Sequence, residues 1–90
     1  MTVKFFGYFR EITNIQAIQL ESEGFQTVGE VLHEVVRRYP ELKEKLFEGE
    51  KVVPFVKVLV NGLAIEVKEG LETRVKGGDA IAIFPPVGGG

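Results

Sequence analysis

Thr27-Val28-Gly29-Glu30-Val31-Leu32-His33-Glu34-Val35-Val36-Arg37-Arg38-Tyr39-Pro40 is the stretch around which the rest of the chain is arranged. Its apolar residues fall at positions 28, 31, 32, 35, 36 and 39. Those steps of three and four lay a single stripe along an α-helix. Thr27, with Glu30 three residues on, has the form of a capping box, in which the Thr hydroxyl and the Glu carboxylate each accept from the other's amide. Pro40 ends the helix, because the residue before a proline avoids the helical region. His33 lies off the stripe and reads as a solvated surface side chain. Arg37-Arg38 reads as a solvated helix end in favourable dipole placement, with attraction of an acidic partner as the alternative.

Upstream, Val3-Lys4-Phe5-Phe6-Gly7-Tyr8-Phe9 is rich in aromatic and β-branched residues and predicts a strand. Arg10 to Asn14 is a polar connection, and Gln16 to Glu21 alternates as a second strand, giving a hairpin over residues 3–21. Downstream, Glu41 to Phe47 predicts one or two short helical turns, and Glu48-Gly49-Glu50-Lys51 a loop. Phe55 to Val60 is a third strand. Asn61-Gly62 follows, the pair favoured where both central turn residues need positive φ. Leu63 to Val67 is a short return strand, Lys76-Gly77-Gly78-Asp79 a turn, and Ala80 to Phe84 the last strand. The order is strand, strand, helix, strand, short strand, strand. A compact solution is an α+β mixed sheet with one main helix on one face and the first and last strands as parallel central neighbours, the β-grasp or ubiquitin-like layout. The domain covers residues 1–84 and a flexible tail covers 85–90.

Ninety residues make one domain with no internal repeat or linker. No apolar run approaches the ~18–20 residues that span a bilayer. No basic segment followed by an apolar one opens the chain, so a cytoplasmic home is the expectation. The net charge is -2 with scattered Lys and Arg; a nucleic-acid domain shows a basic face or stripe instead. Cysteine is absent, which removes disulfides, thiol nucleophiles and Cys-rich metal sites together. A Ser-His-Asp machine would need Ser22, His33 and Asp79, the single copy of each residue, and nothing in the sequence places the three together.

Alternation along the strands divides the sheet into two faces. Val3, Phe5, Phe9, Val56, Val58, Val60, Ile81 and Ile83 form the set to be covered by the helix. The other set holds Lys4, Phe6, Tyr8, Lys57, Leu59, Ala80, Ala82 and Phe84, with no second long helix to cover it. Phe6, Tyr8, Leu59 and Phe84 are then a partly apolar patch of the kind that marks a partner surface. Burial under loop residues or the 41–47 segment is the other reading.

Phe84-Pro85-Pro86-Val87-Gly88-Gly89-Gly90 carries the most information about function. Two prolines stop the strand and stiffen its exit. Three glycines then end the chain with nothing to pack in a core. Phe84 to Gly90 reaches roughly 20 Å when extended, enough to thread a narrow channel and present a terminal carboxylate inside another protein. Glycine lets that channel close tightly on the backbone.

These residues resemble the small subunit of molybdopterin synthase, the MoaD family, and its archaeal-type relatives. The resemblance extends over Val3-Lys4-Phe5-Phe6, Phe9-Arg10-Glu11, Thr27-Val28-Gly29 with Leu32, Leu59-Val60-Asn61-Gly62, and Gly78-Asp79 with Ala82-Ile83-Phe84, and so over essentially the whole chain. Gly88 makes three terminal glycines where the family needs two, and the thiazole-pathway carrier ThiS shares the glycine ending.

The resemblance implies a carrier. An E1-like enzyme of MoeB type would use ATP and Mg²⁺ to adenylate the Gly90 carboxylate, and a sulfur donor would convert the adenylate to a thiocarboxylate. A large subunit of MoaE type would receive the sulfur for molybdopterin, supplying most of the catalytic side chains. Gly88 and Gly89 would give access to the tail, and Phe6, Tyr8, Leu59, Phe84, Pro85, Pro86 and Val87 would meet the partners. The chain itself would bind no cofactor, metal, nucleic acid or membrane. A ubiquitin-like modifier joined to lysines, a carrier for tRNA thiolation or thiamine, and a noncovalent β-grasp binding module are the alternatives.

Overall fold

In a computed structural model that describes residues 1–86, the chain runs β1 (Thr2–Phe5), α1 (Gly7–Thr13), β2 (Ala17–Gln19), α2 (Val28–Arg38), a 3-10 turn (Pro40–Leu42), α3 (Lys43–Leu46), β3 (Phe47–Glu48), β4 (Lys51–Val52), β5 (Lys57–Val60), β6 (Leu63–Ala64), 3-10 turns at Ile65–Val67 and Gly70–Glu72, and β7 (Ala80–Phe84). Five strands form one sheet in the order β2-β1-β7-β5-β6, with β1 and β7 parallel at its centre and the remaining pairs antiparallel. This is the expected β-grasp arrangement. β3 and β4 pair separately as a two-stranded ribbon.

Local chemistry explains the long helix. The Thr27 hydroxyl accepts from the Glu30 N–H at 3.3 Å, and the Glu30 carboxylate accepts from the Thr27 N–H at 3.3 Å and the Gln26 N–H at 2.6 Å. Val28, Val31, Leu32 and Val35 are fully buried, and α2 stops at Arg38, two residues before Pro40. Arg37 and Arg38 both donate to Glu34, one turn back, and hold its carboxyl at about 2. His33 is exposed, with its ring stacked on Phe47 at 4.8 Å between centroids.

The first hairpin departs from the sequence reading. The expected strand over Val3–Phe9 ends at Phe5, and the polar connection at Arg10–Asn14 is mostly helix. Gly7 takes φ +56° and turns the chain out of the sheet. Tyr8, Phe9 and Ile12 have helical spacing, which lets α1 bury Phe9 completely and Tyr8 and Ile12 in part. Asn14, at φ 60°, closes α1 with its N–H on the Arg10 carbonyl at 2.8 Å; Asn is among the residues that tolerate this left-handed cap.

Three further strands are shorter than expected, β2 among them at Ala17–Gln19. β5 starts at Lys57 because Pro54 and Phe55 form a turn, with Phe55 at φ 70°. The return strand stops at Ala64, and a 3-10 turn over Ile65–Val67 buries Ile65. The Asn61-Gly62 turn forms as read, with both residues at positive φ.

Asn61 also ties two turns together. Its side-chain amide donates to the Asp79 carboxylate at 3.0 Å, and its side-chain oxygen accepts from the Ala80 N–H at 2.9 Å. Asp79 accepts in addition from the Lys76 N–H at 2.8 Å. The Asn61 bond is the main reason the Asp79 carboxyl is held below the usual carboxylate range.

Two measurements test these contacts. Leu32→Ala removes a fully buried side chain from the helix stripe and should cost about 2–5 kcal/mol. Its Tm should fall by roughly 10 °C or more; an unchanged Tm would show that the stripe does not carry the fold. Because the folded Asp79 carboxyl is depressed, its stabilisation is present above its unfolded value near 4 and is lost as pH falls through the folded value. Asp79→Ala should therefore be less stable than the wild type at pH 7 in urea titrations, and the difference should shrink below about pH 4.

Candidate functional site

The sheet has one face that no helix covers among the described residues. Strand register places Ala17, Lys4, Ala82, Leu59 and Ala64 in one row across all five strands. Lys4 is exposed and the other four are half-buried. On the opposite face the neighbouring residues Val3, Phe5, Val58, Val60, Ile81 and Ile83 are at most 3% exposed. The contrast shows where the core lies and leaves the alanine row as a shallow, partly apolar surface.

The row towards the end of β7 carries larger side chains. Phe84 lies opposite Lys57 on β5. Phe6, just past β1, donates its N–H to the Ile83 carbonyl at 3.1 Å and stacks its ring on Phe84, with centroids 4.2 Å apart and planes 10° from parallel. Both rings are half-buried. Lys57 Nζ pairs with Glu66 at 3.1 Å on the other side. The Glu66 carboxyl is lowered first by its own backbone amide and then by Lys57.

The chain leaves the sheet over Gly7. A Cβ at Gly7 would stand 2.4 Å from Pro85 Cγ, so the proline ring rests on bare backbone. Pro85 is half-buried and Pro86 exposed. From sequence alone Gly7 reads only as part of the first strand, and its place inside an aromatic run is the available signal. Arg10, read as part of a polar connection and of the Phe9-Arg10-Glu11 resemblance, borders a hollow with Lys4, Phe6 and Gln16 beside this exit. Neither Lys4 nor Arg10 makes an ion pair among the described residues.

Phe6, Phe84 and Pro85 thus gather at one end of the sheet, with Leu59 one row inward on the same face and exposed Pro86 next along the chain. Tyr8 does not join them as a strand residue. It sits on α1, against Phe9, with Lys45 Nζ 5.4 Å from its ring centre, because the chain turns at Gly7 before reaching it. Val87, Gly88, Gly89 and Gly90 lie outside the described residues. Among the described residues, no group of three or more His, Cys, Asp or Glu side chains could hold a metal ion, and no helix is long and apolar enough to cross a membrane.

A central strand that runs into two prolines and a glycine terminus agrees with what comparison with known proteins shows. The ThiS family model matches residues 3–90. The chain belongs to the ThiS family. These are ubiquitin-like sulfur carriers and modifiers. Small archaeal modifier protein 3 of Haloferax volcanii is 37% identical over 90 residues, covering 100% of this chain and 98% of the relative. The molybdopterin synthase sulfur carrier subunit of Haemophilus influenzae is 34% identical over 90 residues, covering 100% and 99%. A chain in the crystal structure of the Amycolatopsis orientalis BexX/CysO complex superposes with a TM-score of 0.83 at 34% identity, covering 99% of this chain and 98% of that one. The ThiS-family match reaches residue 90, so the terminal glycines fall within it.

The aromatic stack at the exit can be weighed by itself. Such pairs contribute about 0.5–1.5 kcal/mol beyond the area they bury. A double-mutant cycle of Phe6→Ala and Phe84→Ala in urea denaturation should return a coupling of that size. Strict additivity would mean that the rings are neighbours without being partners.

Proposed function

We propose that this chain is a sulfur carrier acting in the cytoplasm, with Gly90 as its reactive terminus, and that it serves as the small subunit of molybdopterin synthase. The observation that supports this reading most is the ending Pro85-Pro86-Val87-Gly88-Gly89-Gly90, placed directly after a central strand and inside the family match.

The chemistry follows from what a bare carboxylate lacks. A free carboxylate is a poor acyl donor, so an E1-like partner of MoeB type, holding ATP and Mg²⁺, would activate it. A Gly90 oxygen attacks the α-phosphorus of ATP and pyrophosphate leaves. A sulfur nucleophile then displaces AMP and leaves a thiocarboxylate. A large subunit of MoaE type would receive that sulfur. Gly88 and Gly89 let a narrow channel close around the backbone. The open face with Phe6, Leu59 and Phe84 is where we place the docking of both partners in turn.

Deleting Gly89-Gly90 should leave the Tm nearly unchanged and should abolish or severely reduce ATP–pyrophosphate exchange with the cognate activating enzyme. The truncation withdraws the carboxylate by roughly 7 Å, and even ~1 Å at a reacting centre can cost about a hundredfold. Normal exchange by the truncated chain would leave only a noncovalent binding module.

A second reading is a protein modifier joined through the same terminus to lysines, favoured by the 37% identity to a small archaeal modifier protein. Mass spectrometry of native extract separates the two. Free chain ending in a thiocarboxylate supports the carrier, and lysines bearing tail glycines support the modifier. Roles in tRNA thiolation or thiamine synthesis use the same activated tail and differ in the acceptor.

A further inference from the structure

Phe55 is held against two penalties. Its φ of 70° lies in the left-handed region, which is strained for a side chain with a Cβ. The residue is 78% exposed, the largest exposure among the big apolar residues described. The turn itself needs that φ, since the Val56 N–H closes on the Val53 carbonyl at 3.1 Å, but glycine would take it without strain, and a phenylalanine kept there at an exposed position points to a function. Phe55 stands two residues before Lys57, the register partner of Phe84, and therefore at the end of the sheet where the chain departs for Pro85 and Pro86.

Beside it lies a cleft of about 280 Å³, whose lining includes Val52, Val53, Val58, Ile65 and Leu71. That volume falls just under the ~300–1,000 Å³ of small-molecule sites, which suits one protruding side chain better than a cofactor. Lys51 and Glu66 stand at the same cleft. Glu66 is already paired with Lys57, whereas Lys51 makes no ion pair among the described residues. The cleft thus offers an apolar hole edged by an ammonium that has only its cross-strand neighbour Glu48 opposite it and no ion pair among the described residues.

We infer that Phe55 and this cleft form a second anchor for the activating enzyme, which would insert an apolar side chain flanked by a carboxylate facing Lys51. The inference rests on the carrier reading above. It adds a contact on the far side of β5 from the Phe6–Phe84 stack, so that one partner straddles the strand end beside which the tail leaves. Two anchors on either side of the exit would fix the direction in which the tail enters a channel. A single apolar patch would leave the carrier free to rotate.

The test is ATP–pyrophosphate exchange with the cognate activating enzyme, using wild type, Phe55→Gly, Phe55→Ala and Lys51→Glu. Phe55→Gly relieves the positive φ, so its Tm should equal or exceed that of the wild type. Its KM for the carrier should nevertheless rise about tenfold or more, with kcat nearly unchanged, as for loss of a binding hot spot. Lys51→Glu should raise KM in the same way, and the effect should weaken at high salt. A structural role for Phe55 would instead lower the Tm of both Phe55 variants. An active wild type with unchanged KM in Phe55→Gly and Phe55→Ala would overturn the anchor alone. Absence of exchange by the wild type would overturn the carrier reading and the anchor with it.

Discussion

The parallel pairing of β1 with β7 is the constraint on which the rest depends. It joins the first strand of the chain to the last, Thr2 beside Ala80 through Phe5 beside Ile83. A parallel pair cannot be made by a tight turn and needs a crossover connection. Here the whole intervening chain is that crossover, and α2 is its longest helix. Closing so long a loop costs entropy before any contact repays it, and burial of Val3, Phe5, Ile81 and Ile83 against the α2 stripe offsets that cost.

The same pairing sets the end of the sheet from which the chain leaves. Because β1 and β7 run together and stop together, Phe6 and Phe84 arrive side by side and stack. Gly7 then turns the N-terminal chain aside and leaves backbone on which Pro85 rests. The exit of the tail is thus held by a strand partner, an aromatic stack and a proline contact, all upstream of Val87. A carrier reading needs such a division: a rigid base to dock, and a glycine terminus beyond it.

Charge is used sparingly. Arg37 and Arg38 are taken up by Glu34, and Lys57 by Glu66. Exposed ion pairs of this kind contribute little to stability. The Asn61–Asp79 network differs, since it joins the β5–β6 turn to the start of β7 through a nearly buried carboxylate. Lys4, Arg10 and Lys51 make no ion pair among the described residues, and all three lie at hollows near the end of the sheet from which the tail leaves.

The sequence by itself determined the elements whose cause is local. Thr27, Glu30 and Pro40 bound α2 through contacts within a few residues, Asn61-Gly62 can adopt a turn that most residues resist, and Pro85-Pro86 must end a strand. The glycine ending is legible for the same reason, because residues without side chains have nothing to pack in any core. Tertiary structure decided whether an apolar run stays extended. Val3 to Phe9 has strand composition throughout, yet Phe9 is buried through α1, because the core lies where a helix after Gly7 can reach it. Tyr8 left the open face by that same turn. Ile65 became buried, between exposed Leu63 and Val67, through a turn that breaks strand alternation. Those outcomes depend on what packs above each residue from distant parts of the chain, and a periodicity of two or 3.6 carries no record of it.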